Sequence, residues 1–207
     1  MTDTMIRRHH RLAFAAAALM TAAVPAAAQF SDSYNFLNAV RQSDGDKVNK
    51  ALAGNKSTIV NTRDYSTGET ALAITIKRHD MTWSSFLLAR GANPDIRDAR
   101  GNAPLHYAAQ LNFPEGASLL LGQNANVNIA NASGETPLII AVQQRNTAMV
   151  RLLLANGADP RLSDHIAGKS ARDYAAEDPR AAAVLKIIDE SKTMVKAASK
   201  PKMGPAL

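Results

Sequence analysis

Histidine, aspartate and serine are the residues of this chain that could do acid–base, metal or nucleophilic chemistry. Their arrangement argues against all three. Cysteine is absent, which removes disulfides, zinc thiolate sites and thiol catalysis. His79 precedes Asp80, and His165 follows Asp164. No two histidines stand at metal-ligand spacing, no serine occupies a nucleophile elbow, and no glycine-rich loop could cradle a phosphate. Asp64, Asp98 and Asp164 recur with Asn131 at intervals of 33 or 34 residues. Such a beat marks a structural position and accounts for these carboxylates without a general acid–base role. No catalytic residue, metal ligand or cofactor is expected.

Composition bounds what must hold such residues in place. At 207 residues the chain has room for one domain with tails. It is 46% hydrophobic but only 5% aromatic, with alanine and leucine prominent. That balance suits helices packed closely on small side chains rather than a β-sandwich. The formal charge of +6 sits at the two ends. Residues 1–28 hold three arginines and one aspartate; residues 191–207 hold four lysines and no acid. The stretch between them is neutral overall, so a phosphate-backbone binder with a basic fold is not expected. Nucleic acid is excluded as a partner on that ground.

The first 28 residues have the order of a secretory signal peptide. Arg7, Arg8 and Arg11 precede the apolar run Leu12 to Val24, and Pro25 then breaks it before Ala26-Ala27-Ala28. Cleavage is predicted between Ala28 and Gln29. Thirteen apolar residues fall short of the roughly 20 that a membrane span needs. The Arg7-Arg8 pair raises a twin-arginine route, but the phenylalanine usual two residues after the pair is missing. A periplasmic or secreted destination follows. Asn55-Lys56-Ser57 and Asn131-Ala132-Ser133 match the glycosylation sequon, which matters only in a eukaryotic secretory cell.

Between the ends lies an internal period. Gly68-Glu69-Thr70-Ala71-Leu72, Gly101-Asn102-Ala103-Pro104-Leu105, Gly134-Glu135-Thr136-Pro137-Leu138 and Gly168-Lys169-Ser170-Ala171-Arg172 open alike, their glycines 33, 33 and 34 residues apart. Leu87 to Ala92, Leu120 to Ala125 and Leu153 to Ala158 form a second landmark in the same phase. Threonine before proline starts a helix well: the hydroxyl caps free amides and proline fits the first turn. Leu72, Leu105 and Leu138 begin an apolar stripe, and Trp83, Phe86 and Leu87 continue it on a second helix. Gly91, Asn124 and Gly157 stand where that helix must end left-handed. The middle unit departs from the pattern: Ala103 lacks a capping hydroxyl, Gly116 lies inside a helix, and Asn124 replaces glycine.

The period and the motif Ala103-Pro104-Leu105-His106-Tyr107-Ala108-Ala109, with Thr136-Pro137-Leu138-Ile139-Ile140-Ala141, resemble the ankyrin repeat. The resemblance implies an all-α solenoid of stacked helix-turn-helix units joined by β-turn or hairpin loops. It covers residues 29–190: an N-terminal cap at 33–63, repeats at 64–96, 97–129 and 130–162, and a C-terminal cap at 163–190. A disordered basic tail is expected over 191–207. By the same resemblance, His106 holds neighbouring turns together by hydrogen bonds.

What the resemblance implies for function is a concave protein-binding face, lined by hairpin tips and first helices. Its freely varying positions are Arg63, Tyr65, Ser66, Thr67, Glu69, Lys77 and Arg78, then Arg97, Ala99, Arg100, Asn102, Gln110 and Leu111. Ala132, Ser133, Glu135, Gln143 and Gln144 follow, then His165, Ile166 and Lys169. The basic members cluster in the first two repeats, so the expected partner is a protein with an acidic surface, bound by a monomer. Arg63, Tyr65, Ser66, Lys77, Arg78, Arg97, Arg100, Asn102, Gln110, Gln143, Gln144 and His165 are the candidate contacts. The role would be that of an accessory factor or inhibitor of an exported protein. The alternative is an envelope-associated protein tethered by its lysine-rich tail. A hydrolase on this scaffold would need an acid–base constellation that the sequence does not offer.

Overall fold

The computed structural model describes the backbone of residues 26–53 and 58–198, and side chains of 32–53 and 58–191. Among the described residues ten α-helices run in chain order: α1 (Ala26–Arg41), α2 (Gly45–Leu52), α3 (Ala71–Lys77), α4 (Met81–Ala89), α5 (Pro104–Gln110), α6 (Pro114–Gly122), α7 (Pro137–Gln143), α8 (Thr147–Ala155), α9 (Ala171–Glu177) and α10 (Ala182–Ala198). Odd-numbered helices form an inner layer and even-numbered helices an outer one. Each inner helix packs on its own outer partner and on the inner helix of the next repeat. Among the described residues there are no strands, only isolated bridges between Arg63 and Thr70 and between Ser163 and Ser170, at the bases of two hairpins. This is the all-α stacked solenoid that the period predicts.

The stack is held by rows of apolar side chains that repeat with the sequence. Leu72, Leu105 and Leu138 form one fully buried row; Leu87, Leu120 and Leu153 form the row behind it. Stacking buries a face that no single helix pair could cover by itself. Both ends differ from expectation. The first helix begins at Ala26, seven residues before the predicted cap, and Ser43 makes the turn toward α2, with φ +57°. The last helix runs on to Ala198, so residues 191–198 are helical where a structureless tail is expected. Alanines and straight-chain residues favour helix there, and the first proline after it is Pro201. Residues 1–25, with most of the predicted leader, lie outside the described residues, as do 199–207 and Asn55. Ala28 and Gln29 fall on the backbone of α1.

Capping follows the sequence closely. Thr70, Thr136 and Ser170 accept from the amides of Ala73, Ile139 and Asp173. Asp80 and Asn146 cap the outer helices α4 and α8. Asp80 is therefore a helix cap, and the ring of the preceding His79 lies against Phe113 at 4.5 Å. In the middle repeat neither Ala103 nor Phe113 caps its helix with a side-chain acceptor of its own, but the glycine inside α6 has a packing reason. A Cβ on Gly116 would come within 2.3 Å of the Phe113 ring, so glycine there admits a buried aromatic. Asn124 adopts the left-handed φ of +60° expected of it.

The loops behind the outer helices carry a ladder of amides that the sequence reading does not anticipate. Asn61 accepts from the amide of Asn93 and donates to the carbonyl of Gly91 at 3.1 Å. Asn128 repeats this, accepting from Asp159 and donating to Gly157 at 3.3 Å. Asp95 holds the same place in between and accepts from Asn126, but a carboxylate has no proton for the matching carbonyl of Asn124. Asp95→Asn is expected to raise stability by about 1 kcal/mol by supplying that donor. A urea midpoint unchanged or lowered would show that the rung does not form.

Candidate binding face

The face is built on four hairpin fingers, each folded around one carboxylate or amide. Oδ1 of Asp64 accepts from Ser66 and Thr67; that of Asp98 from Arg100 and Asn102. Asn131 accepts from Ser133 and Glu135, and Asp164 from Ile166, Ala167 and Gly168. These residues organise turns, as their spacing predicts. Asn131 spends its side-chain nitrogen on Asn102 and Glu135, so its sequon is part of the turn. The second oxygen of each acid is also engaged: Arg41 reaches Asp64 at 2.7 Å, the Tyr107 hydroxyl donates to Asp98, and the Tyr174 hydroxyl donates to Asp164 at 2.5 Å. Donors surrounding the ionised form hold Asp64 well below the usual carboxylate range, the Ser66 hydroxyl foremost. The Tyr174 phenol, bonded to a carboxylate, is pushed up to about 12.

Fingers lock to one another through the backbone. The amides of Ala99, Ala132 and His165 donate to the carbonyls of Thr67, Arg100 and Ser133 at 3.0, 3.2 and 2.8 Å. The approach is close: a Cβ on Gly101, at φ +79°, would sit 2.4 Å from the Ala132 nitrogen. His106 fastens the same junction from below. Ala103 donates its amide to Nδ1 at 3.0 Å, which assigns the proton to Nε2, and Nε2 donates to the Glu135 carbonyl at 3.1 Å. Burial holds its pKa below the ordinary value, so the ring is kept neutral. The bonding role implied by the resemblance is what the structure displays.

Along the concave floor lie Ile74, Tyr107, Ile140 and Tyr174, one from each of α3, α5, α7 and α9. Several expected contacts are engaged within the fold. Lys77 pairs with Glu69 at 2.6 Å and lies over the Tyr107 ring. Arg78 donates to the carbonyls of Val40 and Arg41, to Ser43, and to Asp80, closing the C-terminal end of α1. Arg63 bonds the Gly68 carbonyl, and Ser66 bonds Asp64. Asn102 accepts from Asn131, and Gln143 reaches Glu135 at 3.4 Å. Lys169 pairs with Glu177, the counterpart of Glu69 with Lys77 in reversed sign. Gln110 and Gln144 are exposed beside Asn112, Arg145 and Asn146 at the helix turns, away from the finger tips. The His165 ring rests against Gly134.

What remains outward on the fingers is cationic and apolar. Arg63 and Arg97 are exposed, and the Arg100 side chain is 69% exposed while bonding the Tyr107 hydroxyl. Tyr65 is 94% exposed and Ile166 81%. Asp98 and Asp164 are buried and Asp64 nearly so. The acids hold the structural turn position that their recurrence predicts, and the arginines beside them stay exposed. Among the described residues, no group of histidines and carboxylates could hold a metal ion, and no helix is long and apolar enough to cross a membrane.

The family described as ankyrin repeats (3 copies) matches residues 36–131, 86–164 and 120–196, so that 36–196 are covered together. The chain belongs to the ankyrin-repeat family. A search of curated proteins finds no match. Membership supports a role in protein–protein interaction, and proteins of this family are typically non-enzymatic interaction modules.

Proposed function

We propose that this is an exported binding module of the periplasm or extracellular space, whose finger face holds an acidic surface of a partner protein. The supporting observation is the asymmetry of charge on the fingers: Arg63, Arg97 and Arg100 are exposed, the first and last while also bonded to Gly68 and Tyr107, whereas Asp64, Asp98 and Asp164 are consumed by their own turns. Oppositely charged surfaces steer encounter and fix register, while a buried aromatic or arginine anchor supplies most of the affinity. Export rests on the leader-like order of residues 1–28. An accessory factor or an inhibitor of an exported protein would use the face in the same way.

Charge reversal tests the reading. Arg97→Glu with Arg100→Glu should weaken capture of the native partner by about tenfold or more, mainly through slower association at low salt. Arg100 also bonds Tyr107, so Arg97→Glu alone, with a melting temperature measured beside it, separates lost binding from lost folding. Unchanged capture by both variants would remove the finger arginines from the site.

A further inference from the structure

Resting on the acidic-partner reading, we infer that the finger row is a two-ended grip. Its occupant is an extended acidic segment carrying an apolar side chain at each end. The first and fourth fingers have three residues between the turn-forming Asp and the glycine, 65–67 and 165–167; the second and third have two. The outer fingers thus carry the longer tips, and each displays a large apolar side chain, Tyr65 at 94% and Ile166 at 81% exposure. The inner tips carry Ala99, Ala132 and Ser133, with Arg100 as the one large side chain between the two ends. The result is a low cationic middle flanked by apolar ends.

The span follows from the bonding. Neighbouring fingers are joined by backbone hydrogen bonds. Each finger contributes two passes of chain, so the step is about two strand spacings, roughly 10 Å. Three steps separate Tyr65 from Ile166 by roughly 30 Å, the length of about nine extended residues. Carboxylates on the segment between the anchors would meet Arg100 and its neighbours Arg63 and Arg97. Asp98 lies 3.9 Å from the Arg100 guanidinium but is itself buried, and the Arg100 side chain stays 69% exposed to a carboxylate on the segment.

The test uses the purified protein and three fluorescent peptides of Glu and Ser. One has leucines about nine residues apart, one has them about four apart, and one has serine in place of both. The first should bind about tenfold more tightly than the third. Tyr65→Ser or Ile166→Ser should each bring it down to the level of the second, and a melting temperature measured beside each separates lost binding from lost folding. Equal binding of all three peptides, lost on Arg97→Glu, overturns the grip and leaves the acidic-partner reading standing. No binding by any peptide also overturns the grip, and the acidic-partner reading is then decided by the charge-reversal captures.

Discussion

Replacing Gly101 with alanine should lower the free energy of unfolding by about 3 kcal/mol, whereas the same change at Gly91 should cost about 1 kcal/mol. The two glycines share a left-handed backbone, φ +79° and +85°. A side chain therefore strains both alike. They differ in surroundings: a Cβ at Gly91 meets nothing within 4 Å, but one at Gly101 lies 2.4 Å from the Ala132 nitrogen. Relief requires the second and third fingers to part, which breaks the bond from Ala132 to Arg100 and loosens Ala103 beneath it. Urea unfolding of the two variants measures the difference. Equal losses would mean that finger contact contributes nothing beyond local strain.

His106 should carry the second large effect. Its neutral ring accepts one backbone proton and donates another, joining two repeats at a site that is 1% exposed. His106→Ala leaves the buried Ala103 amide without its acceptor and opens a cavity, a loss of about 3 kcal/mol at neutral pH. The pH dependence has a definite sign. Burial lowers the folded pKa, while in the unfolded chain the group titrates near 6.5. Below that value the unfolded state binds more protons, so stability is full above about pH 6.5 and falls as pH drops toward the folded pKa. The slope cannot exceed about 1.4 kcal/mol per pH unit for one group. Asp64 and Asp164, whose pKa values are depressed, lose their contribution only below about pH 4, outside this window. Denaturation between pH 8 and 5 should reveal the slope in the native protein and its absence in His106→Ala. The same slope in both would assign the proton elsewhere.

What was legible in the sequence was whatever repeats. Thr70, Thr136 and Ser170 cap because hydroxyl and amide lie three residues apart, a local relation. Asp64, Asp98, Asn131 and Asp164 announced their turns by recurrence alone. Contacts between repeats were hidden, since they join residues about thirty apart whose approach only stacking creates. Arg78 closing α1, and Asn61 reaching Gly91, are of this kind. Lys77 with Glu69 was hidden for another reason. Eight residues separate them, and the finger turn and the whole of α3 must form before they meet. Gly116 read as a flaw because its partner Phe113 sits at the cap position, where an aromatic ring gives no sign in sequence of folding over the helix. Recurrence separated the turn-forming aspartates from the finger arginines, but that the Tyr107 and Tyr174 hydroxyls close off the second oxygens of Asp98 and Asp164 could be read only from the fold.

Site-specific photocrosslinking in the cells that make the protein bears most directly on the finger face. Photoreactive residues at Ser66 and Ala132, both exposed on fingers, should capture one and the same protein, and its captured segment should be acidic. The same group at Ser118, exposed on the outer helix α6, should not capture it. Capture from Ser118 with none from the fingers would place the partner on the opposite side of the solenoid and contradict the account.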